Sequence, residues 1–295
     1  MRYKTAAAFR QALEVLLREQ SLQTGAPLAR LRKMIAFDRF LARLSKQEPK
    51  GWIIKGGYAL QLRLGDVART TRDIDAAIPS GLTEEELKLR LRKAASKNLK
   101  DWFEFETAEP VTVATGAPGG GYRFPIRGLL DGRTFETFHL DLGQGDPLSG
   151  KPEKLAGSTL LEFAGIPPPT ILCYPLTTQI AEKLHAYTRP YAAGESSRVR
   201  DLVDVLLIAS LSRVKGPGLL EALRATFVAR GTPDLPSVLL KYPADWSGPY
   251  KRFARELALR WSTVAEAWQA AGQFLNPVLQ GKAKGSWHPQ SWTWR

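Results

Sequence analysis

Residues 51–79, GWIIKGGYALQLRLGDVARTTRDIDAAIP, decide the fold of this chain. The apolar run 52–54 predicts a short buried strand, and Gly56 and Gly57 after it allow a tight bend close to a ligand. The spaced leucines behind them predict a short helix, whose N-terminal N–H groups and dipole favour an anion such as phosphate. A glycine pair alone is more often a simple turn, so the pattern needs a second signal.

That second signal is the Asp-Ile-Asp sequence at 73–75. Alternation along a strand places Asp73 and Asp75 on one face and Ile74 on the other, towards a core. Two carboxylates so close together repel each other unless water or a hard cation such as Mg²⁺ neutralises them. A solvated strand end explains most isolated Asp-x-Asp pairs, but the preceding glycine pair favours a metal site here.

A glycine pair, a short helix and Asp-x-Asp, in this order, resemble the opening signature of the polymerase-beta-like nucleotidyltransferase superfamily. The resemblance implies a third carboxylate on a later strand. Asp141, within the segment 135–142, is the candidate, and an ordinary strand-end or turn residue is the alternative.

Two further motifs are similar to those of the AbiEii/AbiGii nucleotidyltransferase toxins, a group that includes the mycobacterial MenT toxins. Residues 180–186, IAEKLHA, match the Lys-x-x-Ala element of that family. Residues 198–205, RVRDLVDV, match its Arg-x-Lys-Asp-x-x-Asp element, with Arg200 in place of the lysine. The resemblance covers residues 55–205 and adds little outside them.

The resemblance implies an α/β (α+β) fold: a polymerase-beta-like nucleotidyltransferase core with a mixed sheet, N-terminal helices and a mostly helical C-terminal lobe. We expect the nucleotidyltransferase lobe at residues 1–175, with N-terminal helices in 1–50 and the catalytic core in 51–175. The helical lobe that carries the lysine and aspartate motifs is expected at 176–295.

Roles for individual residues follow from the same resemblance. Divalent metal ions, Mg²⁺ or alternatively Mn²⁺, would be held by Asp73, Asp75 and Asp141, with an NTP as co-substrate. Asp204 would act as a base or would orient a lysine. The candidates for contacts to the nucleotide phosphates are Lys55, Gly56, Gly57, Arg69, Arg72 and Lys183.

Each of these roles has a plainer alternative. Lys183 could be a solvated helix lysine, and Asp201 is better explained as a first-turn carboxylate favoured by the helix dipole. Arg63, Arg69 and Arg72 could bind nucleotide phosphates, bind acceptor phosphates or simply offset the aspartates. Many family members have serine at the second glycine of the pair, so phosphate orientation here would depend on backbone groups or on Lys55.

The charge balance favours a nucleic-acid partner. The chain has 42 Lys and Arg against 29 Asp and Glu, a net charge of +13, which attracts polyanions over long distances. The basic residues at 88–100, on a helix that begins at Thr83 with Glu86 in a capping box, could equally be a solvated face or an RNA contact. Tryptophans and basic residues alternate in 282–295, where docking of the tail onto the body is favoured over stacking on bases.

One cysteine, Cys173, excludes an internal disulfide and suggests a reducing compartment. No apolar run approaches the length needed to cross a membrane. We therefore expect a cytoplasmic protein without membrane contact.

The resemblance implies a toxin that transfers NMP from an NTP to an acceptor hydroxyl. The leading acceptor is the 3′ end of tRNA, because some MenT members add nucleotides there, which would inhibit translation and growth. The setting would be a toxin-antitoxin or phage-defence system with an AbiEi-like or other adjacent-gene antitoxin. The alternatives are transfer of a nucleotide or phosphate to a protein or a small molecule, a catalytically silent RNA-binding module, and a structural protein with coincidental motifs.

Overall fold

The computed structural model describes residues 1–113, 117–189 and 198–295, which divide into two compact units. The first unit contains residues 1–63, 70–146 and 152–173. The second contains residues 64–69, 147–151 and 174–295. The two short segments 64–69 and 147–151 belong to the second unit although the chain around them belongs to the first, and no local sequence pattern indicates this.

The first unit is a mixed sheet with helices. Its helices are α1 (Ala6–Thr24), α2 (Leu28–Gln47), α3 (Gly56–Leu64) and α4 (Glu84–Ala95). Its strands are β1 (Ile53–Lys55), β2 (Ile74–Ile78), β3 (Phe103–Thr107), β4 (Val111–Thr112), β5 (Gly121–Leu130), β6 (Arg133–Gln144), β7 (Glu153–Ala156) and β8 (Thr170–Cys173).

The strand order is β3-β5-β6-β2-β1-β8-β7, with β4 paired to β5. The pairs β2–β6 and β1–β8 are parallel, and the other pairs are antiparallel. This confirms the predicted mixed sheet preceded by N-terminal helices.

The core of the first unit lies between α2 and one face of the sheet. Phe138 of β6 contacts the rings of Phe37 and Phe40, with ring centroids 4.9 and 5.6 Å away. Ile74 and Leu140, paired between β2 and β6, are fully buried. Because side chains alternate along a strand, the neighbours of these two residues project from the opposite face.

A register shift in the β5–β6 hairpin determines which residues of these two strands lie on the face of the sheet opposite the core. Gly128 pairs with Glu136 and Leu129 with Thr134, so Phe135 is an extra residue on β6. Phe135 and Phe138 both belong to the same buried core, although strict alternation would place residues three positions apart on opposite faces of the sheet. The expected alternation over 135–142 is therefore interrupted by a β-bulge.

Two buried carboxylates hold α2 within the first unit. Asp38 accepts hydrogen bonds from the Tyr58 hydroxyl of α3 and from the Ser158 backbone N–H, and burial raises the pKa of Asp38 to about 6. Asp101 is paired with Arg39 and Arg43, at 2.6 and 2.7 Å. Burial alone would raise the pKa of Asp101, but the two guanidinium groups outweigh it and hold that pKa below its ordinary value.

The second unit is mostly helical, as expected for the C-terminal part. Its elements are α5 (Leu176–Thr188), α6 (Val199–Leu211), α7 (Gly216–Arg230), α8 (Ser247–Glu256), α9 (Val264–Leu279) and a hairpin of β9 (Trp287–His288) and β10 (Thr293–Trp294).

The tryptophan-rich tail docks onto this unit. Trp287 is fully buried and donates its indole N–H to the Ala209 carbonyl at 2.7 Å. Trp294 stacks on Phe274 and donates to its carbonyl at 2.9 Å. The preferred interpretation of the tail, docking onto the body, is confirmed.

The two buried carboxylates give opposite pH dependences. Because the pKa of Asp38 is higher in the folded protein than in the unfolded chain, the folded protein binds the Asp38 proton more tightly. Protonation of Asp38 therefore stabilises the fold fully below pH 3.8, and this stabilisation is lost as the pH rises through about 6. In Asp38→Asn this dependence should disappear. Relative to that variant, we expect the wild-type unfolding free energy to fall by about 3 kcal/mol between pH 3 and pH 7, measured by urea denaturation.

Asp101→Asn is the matched control with the opposite sign. Its lowered pKa means that the wild type gains stability over that variant as the pH rises through the acidic range. If the curves of Asp38→Asn and the wild type stay parallel across this range, the assignment for Asp38 is wrong.

Candidate active site

Four charged residues of the first unit form one row across the sheet. Lys55 of β1 pairs with Asp75 of β2, Asp75 pairs with Asp141 of β6, and Asp141 pairs with Arg123 of β5. Residues paired in this way lie side by side, with about 4.8 Å between neighbouring strands, and project from the same face. The two aspartates are therefore adjacent, and each has a cationic residue on its outer side.

Arg123 binds Asp141 through both carboxylate oxygens. Its Nε and one terminal nitrogen each donate to a different oxygen of Asp141, both at 2.7 Å. The hydrogen bond to Asp141 raises the pKa of Arg123, and the charges of Asp73 and Asp75 add to the effect. Arg123 thus lies in the electrostatic field of all three candidate metal ligands, although no sequence motif indicates it.

Asp73, the third carboxylate, lies directly before β2. One of its oxygens accepts the backbone N–H of His139 at 3.3 Å and lies 3.1 Å from the ring Nδ1 of the same residue. His139 stands two positions before Asp141 on β6, so it projects from the same face of the sheet. No sequence motif indicates a role for this histidine.

Gly56 provides the space that the Asp75 carboxylate occupies. Its φ is +63°, in the left-handed region that favours glycine. A Cβ atom at this position would lie 2.0 Å from one carboxylate oxygen of Asp75. Gly57 follows as a buried residue in the first turn of α3.

Lys55 forms an ion pair with Asp146, whose side chain is fully buried. Its ammonium group is thus held by a carboxylate that the sequence analysis did not consider. Among the arginines, Arg63 is paired with Glu153 at 2.9 Å, while Arg72 is exposed.

Lys183, Asp204 and Arg69 lie in the second unit. Lys183 contacts one oxygen of Asp201 and one of Asp204, both at 2.9 Å, and its side chain is only 12% exposed. Arg69 donates two hydrogen bonds to the carboxylate of Asp204, at 2.9 and 3.0 Å. The Lys183 side chain is thus mostly shielded from solvent and paired with two carboxylates, which excludes the solvated-lysine alternative.

These contacts determine the charge states of Lys183 and Asp204. Burial would lower the pKa of Lys183, but Asp201 and Asp204 outweigh it and raise that pKa. Burial would raise the pKa of Asp204, but Lys183 and Arg69 outweigh it and lower that pKa. Lys183 therefore stays a cation, and Asp204 is a carboxylate with little tendency to accept a proton.

Acidic neighbours neutralise much of the basic helix α4, which begins with the predicted capping box of Thr83 and Glu86. Lys88 contacts Glu84, Glu85 and Glu109 at 2.7 to 2.9 Å. Such ion pairs reduce the positive electrostatic potential that would attract an RNA backbone at this end of the helix.

Comparison with known proteins identifies the family. Residues 39–271 match the family described as nucleotidyl transferase AbiEii toxin, type IV toxin-antitoxin system. The chain belongs to this family. A search of curated protein sequences finds no match.

A solved structure of a nucleotidyltransferase toxin shares the fold of this AbiEii toxin. MenT4, a nucleotidyltransferase toxin from Mycobacterium tuberculosis H37Rv, is 22% identical with a TM-score of 0.62, and the match covers 90% of this chain and 89% of that one. JHP933 from Helicobacter pylori is 14% identical with a TM-score of 0.46, covering 86% and 94%. Among the helices in the described residues, none combines the length and the hydropathy that a membrane span requires.

The donor set of the AbiEii toxin suits a hard divalent cation. Asp73, Asp75 and Asp141 offer carboxylate oxygens, the ligands that Mg²⁺ and Mn²⁺ prefer. In residues 1–113, 117–189 and 198–295, however, no group of three or more His, Cys, Asp or Glu side chains is arranged to hold a metal ion. At Asp141, each carboxylate oxygen accepts one hydrogen bond from Arg123. The chemical type of these three side chains suits such a metal, but their observed arrangement does not form a metal site.

Gly56→Ala should displace the Asp75 carboxylate, because the added methyl group would occupy its position. We expect Mn²⁺ affinity, measured by electron paramagnetic resonance, to fall between about 10-fold and 100-fold. Gly65→Ala is the matched control, since Gly65 also has a positive φ, +62°, but nothing lies within 4 Å of its added methyl group. Both variants carry the strain of a left-handed alanine, about 1 kcal/mol. Equal Mn²⁺ affinities in the two variants would contradict the assignment.

Asp204→Asn should destabilise the second unit strongly. It leaves Lys183 with Asp201 alone and removes the bidentate partner of Arg69, so we expect a loss of about 3–5 kcal/mol in unfolding free energy. Asp201→Asn is the control, because both cations keep Asp204. Its loss should be smaller, about 1–2 kcal/mol, by urea denaturation. A larger loss in Asp201→Asn would show that Asp204 is not the centre of the network.

Proposed function

We propose that this AbiEii toxin transfers NMP from an NTP to the terminal hydroxyl at the 3′ end of tRNA, with Mg²⁺ or Mn²⁺ as its metal. A bond forms between that hydroxyl oxygen and the α-phosphorus, the α–β phosphoanhydride bond breaks, and pyrophosphate leaves. The observation that carries the proposal is the pairing of Asp75 and Asp141 on adjacent parallel strands, with Asp73 directly before β2. Two carboxylates at neighbouring strand positions repel each other, and a divalent cation bound between them would offset this repulsion.

The three aspartates would hold the metal. When bound, the metal would neutralise charge on the transferring phosphoryl group and make the attacking hydroxyl easier to deprotonate. Gly56 leaves Asp75 the space for its carboxylate, and Gly56 and Gly57 offer backbone N–H groups at the start of α3 to an anion.

Lys183 would provide a fixed positive charge. We propose that Lys183 serves the nucleotide phosphates as a cation, as the family resemblance implies. Because the pKa of Asp204 is lowered, we favour Asp204 as the residue that orients Lys183 over Asp204 as a general base. Arg69, through its two hydrogen bonds, would hold Asp204 in place. Lys55 would support the row of carboxylates through Asp146, and exposed Arg72 remains the candidate for a phosphate contact.

An RNA acceptor is supported by charge. The net charge of +13 raises the local concentration of polyanions and speeds their association. Addition to the 3′ end of tRNA would block aminoacylation and hence translation and growth. We further propose a cytoplasmic toxin that is paired with an AbiEi-like or other adjacent-gene antitoxin and takes part in phage defence.

The experiment incubates purified protein with Mg²⁺, each α-labelled NTP in turn, and bacterial tRNA that is either intact or periodate-oxidised. Oxidation destroys the hydroxyls of the terminal ribose, so transfer to the 3′ end should label intact tRNA only. Asp75→Asn should lower the rate on the order of a thousandfold, since metal-supported stabilisation of the transition state is worth several kcal/mol. Asp131→Asn, which removes a charge paired with Arg133 in the β5–β6 turn, should leave the rate within about twofold.

Other outcomes select the alternatives. Label in protein instead of tRNA would indicate a protein-modifying transferase. Label in oxidised tRNA would place the acceptor elsewhere in the RNA. RNA binding without any label, unchanged in Asp75→Asn, would indicate a catalytically silent RNA-binding module.

A further inference from the structure

The Arg123–Asp141 pair places a cation where the nucleotidyl-transfer chemistry needs a metal. Both oxygens of Asp141 accept a hydrogen bond from Arg123, and a divalent cation needs at least one of them at about 2.1 Å. A guanidinium group and a metal ion also repel each other at this distance. Arg123 and the metal therefore compete for the same carboxylate.

We propose that Arg123 is an internal counter-ion that closes the metal site in the absence of metal and binds a nucleotide phosphate once it is released. The inference rests on the proposed function, because it assumes that Asp141 is a metal ligand. It assigns Arg123 two alternating anionic partners, the Asp141 carboxylate and a phosphate of the NTP.

The chemistry of the side chain suits both partners. A guanidinium group is a planar fork that matches the two oxygens of a carboxylate or of a phosphate equally well. The side chain of Arg123 is 40% exposed, so leaving Asp141 does not require it to leave a packed core. The negative field of Asp73 and Asp75 keeps the charged group near the site when it moves.

The exchange also explains how the free protein tolerates its row of carboxylates. Without a cation, Asp75 and Asp141 would repel each other at neighbouring positions of adjacent strands. Arg123 supplies one positive charge in the free state. When a divalent cation supplies two, Arg123 is no longer needed at Asp141 and its charge becomes available to the substrate.

A purely structural role for Arg123 makes a different prediction. Loss of a structural ion pair would weaken the binding of both ligands through disorder at the site. The proposed exchange predicts effects of opposite sign, with tighter metal binding and weaker nucleotide binding.

The test measures both ligands on Arg123→Gln. Mn²⁺ alone is titrated by electron paramagnetic resonance, and a non-hydrolysable NTP analogue is then titrated at saturating Mn²⁺, so that metal affinity no longer affects the second result. We expect Mn²⁺ to bind about tenfold more tightly and the analogue about tenfold more weakly, which is the effect of one charge-assisted hydrogen bond on a binding constant. Arg123→Lys, which keeps the charge without the fork, should show smaller changes in the same directions and also serves if Arg123→Gln fails to fold.

Arg127→Gln is the matched control. Arg127 lies on the same strand, is likewise an arginine paired with a carboxylate, Glu106, and is about 13 Å along the strand from Arg123. That distance exceeds the screening length of about 8 Å at physiological salt, so removing its charge should change both affinities by less than about twofold.

Each remaining outcome overturns the inference. If Asp141→Asn weakens Mn²⁺ binding but Arg123→Gln does not strengthen it, Arg123 does not compete with the metal, although the proposed function stands. If nucleotide binding is unchanged in Arg123→Gln, Arg123 has no phosphate partner. If Asp75→Asn and Asp141→Asn bind Mn²⁺ as the wild type does, the metal site itself is elsewhere and the proposed function fails as well.

Discussion

Repulsion between Asp75 and Asp141 is the constraint on which the arrangement of the first unit depends. The two residues are paired on adjacent parallel strands, so their carboxylates project side by side from one face of the sheet. The residues around the two carboxylates offset this repulsion or leave space for the side chains. Arg123 binds Asp141 from the next strand, and Gly56 leaves the Asp75 carboxylate the volume it occupies.

The family and the order of the main elements could be predicted from the sequence because local patterns encode them. The strand before Gly56, the helix after it and the Asp-x-Asp strand each depend on residues within a few positions of one another. Arg123 could not be found in this way. If the β5–β6 register continued without a bulge from the Leu130–Arg133 pair at the hairpin turn, Arg123 would pair with Leu140. The extra residue at Phe135 shifts the register by one position, so Arg123 pairs with Asp141. Such a register depends on core packing, since the bulge allows Phe135 and Phe138 to be buried together.

Contacts between distant parts of the chain were equally inaccessible to sequence reasoning. Arg69 and Asp204 are separated by 135 positions, and Lys55 and Asp146 by 91. The sequence predicts that these residues are charged but not that each is held by another. For Lys183 the difference matters chemically, because its ion pairs with Asp201 and Asp204 keep it protonated despite its low exposure and fix its position. The family motif supplied the identity of the lysine, and tertiary structure supplied its charge state.

Diffraction from crystals of the toxin soaked in Mn²⁺, measured at the manganese absorption edge, tests the central claim most directly. The account predicts an anomalous peak within bonding distance of the Asp75 and Asp141 carboxylates, with the Arg123 guanidinium turned away from Asp141. A peak located elsewhere, or no peak while Arg123 remains on both oxygens of Asp141, would contradict the claim that this row of carboxylates is a metal site.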